Sequence, residues 1–299
     1  MDIMTDILKT EFPIGKESDL PLRFTGMQIS TAKNGDIQLS QEAFVMKIEA
    51  LNGNFNTKTK LSIEDIAKLR QITGQLQWCA SQSRPDISFG ANTLTSDLEN
   101  ATGERILQAN KLVRRLKFNG HLQLTFPRNI SPDNSVMLLY TDASFQNLYD
   151  GGSQGAYFII IFDLQSHYFY PISWSSHRIK RVVKSTLAAE TLSLIEGLDT
   201  ALFLNEIMLF LLQKKMKIYA VIDSKQLHDS INSSKCITEK RLRVDISSIK
   251  LLKEQGEIED VKWVSASKQL ADTLTKKSAI PESLLRNLES GKIQGSPFD

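Results

Sequence analysis

The hydrophobic pattern of the chain changes near residue 130, and this change constrains the fold more than any other feature. Three short runs rich in β-branched and aromatic residues follow one another there, at 136–141, 156–162 and 168–175, with turn-forming residues between them. Helical segments then alternate with further strand-like runs at 217–222 and 261–264. This order predicts a mixed sheet with helices packed on its faces.

Helix and turn signals complete the expected layout. Asn34-Gly35 predicts a hairpin between 22–30 and 37–40, Ser62 caps a periodic apolar run, and Pro85 suits the first turn of the next helix. Further helices are predicted over 103–118, 185–212 (interrupted near Gly197), 223–230, 239–255 and 268–276. The turn-rich segment 126–134 is the best candidate for a domain boundary.

Composition excludes several classes of protein. With 299 residues, 41% of them hydrophobic and 23% charged, the chain can form two domains, and it is neither collagen-like nor disordered. Two cysteines, Cys79 and Cys236, favour a reducing compartment over a disulfide framework. The most apolar stretch, 201–212, contains Asn205 and Glu206 and is shorter than the roughly 20 residues of a membrane span, so no membrane partner is expected. No secretory signal is visible at the N-terminus.

Four acidic residues lie where strands end and helices begin. Asp142 and Asp223 each follow an apolar strand, whereas Glu190 and Asp272 lie early in predicted helices. Packed carboxylates need a compensating cation, and oxygen ligands without His or Cys favour Mg²⁺ over zinc. Two such ions about 4 Å apart can hydrolyse a phosphodiester. Each acid by itself also has a structural explanation, as a turn residue, a helix cap or a partner of the helix dipole.

Two basic clusters stand out against a net charge of +2. One lies on the predicted helix 103–118 and consists of Arg105, Lys111, Arg114, Arg115 and Lys117. The other consists of Arg178, Lys180, Arg181 and Lys184. Phosphate binding is one interpretation of such clusters, and a solvated helix face or loop is the other.

Several motifs carry a resemblance to a known family. Those of the second half are Tyr140-Thr-Asp-Ala-Ser144, Ser173-Trp-Ser-Ser176, Ser185-Thr-Leu-Ala-Ala-Glu190, Ile222-Asp-Ser224, Lys240-Arg-Leu-Arg-Val-Asp-Ile246 and Gln269-Leu-Ala-Asp-Thr-Leu-Thr-Lys276. In this order they resemble the ribonuclease H domain of copia-type LTR retrotransposon Pol polyproteins. Upstream, Ile72-Thr-Gly-Gln-Leu-Gln-Trp78 and Ser83-Arg-Pro-Asp-Ile-Ser88 resemble the end of that family's reverse transcriptase.

The resemblance implies a fold class and a domain order. The fold would be α/β, a ribonuclease H-like mixed sheet with helices on both faces, preceded by a mainly helical reverse-transcriptase thumb/connection-like region. The implied units are the end of the palm at 1–60, the thumb/connection-like region at 61–130, the ribonuclease H-like domain at 131–280 and a tail at 281–299.

The resemblance also implies a reaction and its residues. The catalytic and metal-binding acids fall on Asp142, Glu190, Asp223 and Asp272. They would hold two Mg²⁺ or Mn²⁺ ions, with Asp142 bridging both, Glu190 and Asp223 serving one, and Asp272 serving the other. The activity would be endonucleolytic hydrolysis of the RNA strand of an RNA–DNA hybrid. Ser144, Ser224 and Gln226 would contact the hybrid, and the basic segment from Arg178 to Lys184 would grip its backbone.

Copia-type polymerases carry a Tyr-x-Asp-Asp box, and this sequence contains no Asp-Asp pair. The expectation is therefore a nuclease without a polymerase active site, in a cytoplasmic retrotransposon particle or in the nucleus. Its expected partners are an RNA–DNA hybrid, template–primer and other retrotransposon Pol products. Two alternatives stay open: an inactive retroelement remnant that binds nucleic acid, and a structural partner of a polymerase.

Overall fold

A computed structural model describes residues 9–10, 18–233, 239–277 and 281–298. The N-terminal part combines a small sheet with a group of helices. The antiparallel strands of that sheet are β1 (Leu22–Phe24), β2 (Met27–Thr31), β3 (Ile37–Ser40) and β4 (Gln123–Phe126). The helices are α1 (Glu42–Val45), α2 (Ile63–Gln82), α3 (Ser88–Leu94) and α4 (Gly103–Phe118), and they enclose a core of their own.

Local sequence signals account for much of this part. The Ser62 hydroxyl accepts the backbone N–H of Asp65 and so caps α2, and Pro85 opens a 3-10 turn, Pro85–Ile87, that leads into α3. The β2–β3 hairpin forms as predicted, with Gly35 at a φ of +88°. The run 22–30 is two strands rather than one, because Thr25 and Gly26 adopt positive φ and turn the chain back on itself.

The second sheet carries the predicted mixed topology. Its strands are β5 (Ser135–Ser144), β6 (Gln154–Asp163), β7 (Phe169–Arg178), β8 (Ile218–Ile222) and β9 (Asp260–Trp263). In the order β7-β6-β5-β8-β9, the first three pair antiparallel, whereas β8 runs parallel to both β5 and β9.

Helices cover both faces of this sheet, which confirms the predicted fold class. They are α5 (Thr186–Leu212), α6 (Lys225–Asn232), α7 (Lys240–Glu254) and α8 (Glu282–Ser290). Alternate residues of β5 supply the two cores: Met137 and Leu139 pack with α5, α6 and α7, whereas Leu138 and Tyr140 pack with α8. Burial on both sides explains why β5 reads as a continuous apolar run.

Two local expectations about helices were wrong. Helix α5 continues through Gly197, where a Cβ would lie 2.8 Å from Leu139 Cδ1, so the glycine permits close helix–sheet packing. The segment 268–276 forms no α-helix; it contains the 3-10 turn Asp272–Leu274, because the Gln269 side chain bonds to backbone groups there. The segment expected to be a tail contains α8, which buries Leu284 and Leu288.

Hydrogen bonds tie the two parts together. Trp174 Nε1 donates to the carbonyl oxygen of Ala80 at 2.6 Å, and Thr125 Oγ1 donates to the carbonyl oxygen of Glu289 at 2.8 Å. Cys79 is a buried free thiol, whereas Cys236 lies outside the described residues. Within the described ranges, none of the helices has both the length and the apolar character needed to cross a bilayer.

Candidate metal centre and active site

Three of the four predicted acids come together at one edge of the second sheet. Carboxylate oxygens of Asp142, Asp223 and Asp272 all lie within 4.8 Å of one another. Asp142 is in β5, opposite Ala156, and Asp223 directly follows β8. Because β5 and β8 are parallel neighbours, their carboxyl ends meet at the same edge. Asp272 reaches this edge from the 3-10 turn that it begins, not from a helix.

Glu190 is the fourth predicted acid, and it approaches from α5. Its side chain is buried, the backbone N–H of Ala143 donates to its carboxylate, and its Oε2 has no hydrogen-bond partner among the residues that the structure describes. Burial, together with the charges of Asp142 and Asp223, raises the pKa of Glu190 well above its ordinary value. An unpartnered buried carboxylate oxygen beside other acids is a site in need of a cation.

Gln269 fixes the two strand ends that carry the acids. Its buried Nε2 donates to the carbonyl oxygens of Thr141, at 3.0 Å, and Val221, at 3.3 Å. Its Oε1 accepts the backbone N–H of Ala271 at 3.1 Å. One side chain therefore links β5, β8 and the backbone of Ala271, the residue before Asp272.

Ser193 links α5 to the strands β5 and β6. Its hydroxyl accepts the backbone N–H of Ala156 at 3.1 Å and lies 2.9 Å from the carbonyl oxygen of Asp142. Ser193 lies one helical turn after Glu190. The contact between Ser193 and Asp142 therefore helps to fix the position of Glu190 relative to Asp142.

A lysine lies among the carboxylates. Lys276 Nζ is 3.5 Å from Asp142 Oδ2 and contacts Asp272 Oδ1, and the Thr275 hydroxyl donates to Asp142 Oδ2. Both residues belong to the motif 269–276, in which only Asp272 was predicted to have a role. Their positions, three and four residues after Asp272, could have indicated a contact with that acid, because a helical turn brings residues at this spacing to the same side.

Three of the four acids, Asp142, Glu190 and Asp223, hold their protons more tightly than exposed carboxyls do. Burial raises the pKa of Asp142 to about 6; Lys276 and Thr275 oppose this shift, and Asp223 and Asp272 add to it. Burial also raises the pKa of Asp223. Burial alone would lower the pKa of Lys276, but the charges of Asp142, Asp272 and Asp223 outweigh it and raise that pKa. The site is therefore electronegative and attracts cations.

The predicted nucleic-acid contacts lie around this edge in different environments. Ser144 ends β5 two residues after Asp142, while Ser224 directly follows Asp223 and caps α6. Gln226 is exposed in the first turn of α6.

The two arginines of the basic segment 178–184 form ion pairs, whereas its two lysines do not within the described residues. Arg178 contacts Asp150, and Arg181 lies 3.2 Å from Asp245. Lys180 and Lys184 are exposed and form no salt bridge within the part of the chain that the structure describes. These two lysines are therefore the members of the segment that can best reach an added polyanion.

The chain is similar to proteins of two transposons, although no family model matches it. The chain is 27% identical over 178 residues to a putative transposon Ty5-1 protein of Saccharomyces cerevisiae, covering 54% of each chain. It is 26% identical over 298 residues to the retrovirus-related Pol polyprotein from transposon RE1 of Arabidopsis thaliana, covering 91% of this chain and 19% of that one. The chain thus spans about half the length of the first relative and about a fifth of the second.

Among solved structures, LC11-RNase H1, isolated from compost by a metagenomic approach, aligns with half of this chain. The sequence identity is 18%, the alignment covers 50% of this chain and 98% of that one, and the TM-score is 0.37.

Proposed function

Because the homologues of this chain are Ty/copia-type retrotransposon Pol polyproteins, we propose that it is a metal-dependent ribonuclease that hydrolyses the RNA strand of RNA–DNA hybrids. The observation that carries the proposal is the cluster of Asp142, Asp223 and Asp272 within 4.8 Å, with buried Glu190 beside it. A nuclease of this kind needs several carboxylates at one point, and a purely structural site would keep them apart.

The residues present fit two divalent cations. All four acids offer oxygen, which is the donor that Mg²⁺ and Mn²⁺ prefer. Oε2 of Glu190 is buried and has no hydrogen-bond partner among the described residues. The ammonium group of Lys276 contacts both Asp142 and Asp272, which shows that a positive charge can be placed between these carboxylates. Asp142, Glu190, Asp223 and Asp272 would hold the ions, which when bound supply an activated water and stabilise the leaving oxygen.

The other residues of the site position the acids or bind the hybrid. Gln269 and Ser193 keep the strand ends and α5 at a fixed spacing, so that the acids do not move apart under their mutual repulsion. Ser144, Ser224 and Gln226 offer small polar groups to the ribose 2′-OH, which distinguishes RNA from DNA. Lys180 and Lys184 bind backbone phosphates beside the site.

The division into units at 1–60, 61–130 and 131–280 belongs to this proposal, with the last unit extended to include α8. In it the N-terminal part binds template–primer, and the protein works with other Pol products in a cytoplasmic retrotransposon particle or in the nucleus. The chain contains no Asp-Asp pair, so the proposed activity is a nuclease and not a polymerase.

Cleavage of a hybrid labelled on both strands tests the proposal. With Mg²⁺ or Mn²⁺, the wild type should cut only the RNA strand, and Asp142→Asn should lower the rate by about 100-fold or more. Asp142→Asn should still bind hybrid in EDTA as the wild type does. Asp133→Asn is the matched control, because Asp133 is exposed and pairs with Lys214 away from the acid cluster.

The other outcomes are also decisive. A wild type that binds hybrid without cutting it is a nucleic-acid-binding remnant, and the nuclease proposal fails. Equal cutting by the wild type and Asp142→Asn would assign the activity to another site or to a contaminant.

A further inference from the structure

We infer that Asn92, in the N-terminal part, is a positioning residue for the proposed metal centre and acts through a relay of hydrogen bonds. The relay ends on the Asp272 turn, defined here as residues 272–276. The inference rests on the proposed function and deepens it, because it makes the N-terminal part a component of the nuclease site.

The relay consists of short contacts that cross three elements. Gln154 Nε2, in β6, donates to Asn92 Oδ1 of α3 at 3.0 Å and to Ser176 Oγ of β7 at 2.9 Å. The Ser176 hydroxyl donates in turn to the carbonyl oxygen of Leu274 at 2.5 Å. A continuous chain of donors and acceptors therefore joins α3 to the Asp272 turn.

The surroundings make the hydrogen bonds of the relay hard to replace. Gln154 is completely buried and Ser176 nearly so, and water cannot easily replace a lost partner there. Both protons of the Gln154 amide are used, whereas its buried Oε1 has no hydrogen-bond partner among the described residues. Loss of the Asn92 acceptor would therefore leave a second polar atom of this buried amide unsatisfied.

The opposite side of the same turn faces the acids. Thr275 donates to the Asp142 carboxylate, and Lys276 contacts both Asp142 and Asp272. The Asp272 turn thus lies between the relay on one side and the acid cluster on the other. A displacement of the Leu274 carbonyl changes where Asp272 and Lys276 lie relative to Asp142.

The N-terminal part also packs directly on this turn. The 3-10 turn Pro85–Ile87 lies against Asp272–Leu274. That segment is itself rigid, because the fully buried guanidinium of Arg84 pairs with Asp86 at 2.8 and 2.9 Å. The guanidinium also donates to the carbonyl oxygen of Asn119 at 2.9 Å. The segment that leads into α3 is therefore rigid and packs on the turn beside the relay.

Variants of Asn92 separate positioning from general stability. Asn92→Ala removes the acceptor of the Gln154 amide, whereas Asn92→Asp keeps an oxygen acceptor at that point. Ser176→Ala removes the last link. Thr125→Val is the matched control, because it removes another hydrogen bond between the two parts, to Glu289, that does not touch the turn.

Two measurements on the full chain read the effect. Hydrogen exchange reports the amides of Leu274 and Thr275, which close the turn on Ala271 and Asp272. We expect exchange about 3- to 10-fold faster in Asn92→Ala and Ser176→Ala, with wild-type exchange in Asn92→Asp and Thr125→Val. The Mg²⁺ concentration for half-maximal cleavage should rise by about the same factor in Asn92→Ala and Ser176→Ala only.

The inference is overturned if Asn92→Ala exchanges like the wild type at these amides, or if Thr125→Val accelerates them equally. Exchange requires no catalysis, so it tests the relay even for a chain that does not cut hybrid. Failure of the proposed function would be seen separately, in the cleavage of hybrid by the wild type.

Discussion

The ammonium nitrogen of Lys276 lies 3.5 Å from Oδ2 of Asp142. Lys276 brings one positive charge to the cluster of Asp142, Asp223 and Asp272, beside which Glu190 lies buried. One ammonium group cannot balance several carboxylates. A divalent cation of the kind proposed above would compete with protons for these oxygens, and such competition would have measurable consequences.

The first consequence is a dependence of stability on pH. The pKa of Asp142 is about 6 in the folded protein against an ordinary value of 3.8, so the native state binds more protons than the unfolded chain between these values. The contribution of Asp142 to stability therefore falls as the pH rises through this window, by about 3 kcal/mol in total. Thermal unfolding in EDTA at about pH 4.5 and about pH 7 should show a larger loss for the wild type than for Asp142→Asn. Added Mg²⁺ or Mn²⁺ should restore the wild type at pH 7; equal pH profiles for the two proteins would contradict this.

Gln269→Ala should loosen the edge of the sheet. It leaves the carbonyl oxygens of Thr141 and Val221 without their side-chain donor, at a cost of about 1–3 kcal/mol. Urea unfolding measures this loss, and cleavage should then require more Mg²⁺. Gln165→Ala is the control, because Gln165 is exposed and should change stability by less than about 0.5 kcal/mol. A Gln269→Ala protein as stable as this control would show that the link between β5 and β8 contributes nothing.

Two helical glycines should respond to alanine with opposite signs. A Cβ at Gly197 would lie 2.8 Å from Leu139 Cδ1 and 2.9 Å from Thr141 Cγ2, so Gly197→Ala should destabilise the protein by about 1–3 kcal/mol. A Cβ at Gly74 of α2 meets nothing within 4 Å, and Gly74→Ala should stabilise by about 0.5–1 kcal/mol. The denaturant midpoints of the two variants, compared with that of the wild type, measure the sign of each stability change. Changes of the same sign would mean that helix propensity, not packing on β5, controls position 197.

Salt dependence should identify the lysines that contact the hybrid. Lys180→Ala and Lys184→Ala should each reduce the slope of log affinity against log salt by about 0.7–0.9 in metal-free binding. Arg178→Ala should have a smaller effect, because its guanidinium is already paired with Asp150. Lys33→Ala, in the β2–β3 turn, serves as the control. Slopes unchanged in both lysine variants would make the segment an ordinary solvated loop.

The sequence predicts those features that depend on near neighbours along the chain. The strands of the second sheet, the cap at Ser62 and the helix 103–118 follow from local periodicity and side-chain chemistry. The spacing of strand ends likewise led to Asp142 and Asp223. The spacing of four residues could have placed Lys276 beside Asp272, but its contact with Asp142 joins residues far apart in sequence and leaves no local pattern.

The same limit explains the local errors. A helix over 268–276 has a suitable pattern, but in the structure the Gln269 side chain bonds to the backbone of Thr141 and Val221, which are distant in sequence. Gly197 reads as a helix breaker until the neighbouring strand is seen. The relay from Asn92 through Gln154 and Ser176 joins distant segments and leaves no local pattern.

The position of Asp142 inside β5, rather than in the loop after it, limits how the length of the chain can vary. Side chains alternate between faces along a strand, and Asp142 shares the face of Leu138 and Tyr140, on which Leu274 of the Asp272 turn also packs. One residue inserted or deleted within 136–141 would turn the carboxylate to the opposite face, towards α5. We therefore expect changes of length that preserve the site to fall in connections such as 145–153 and not within β5.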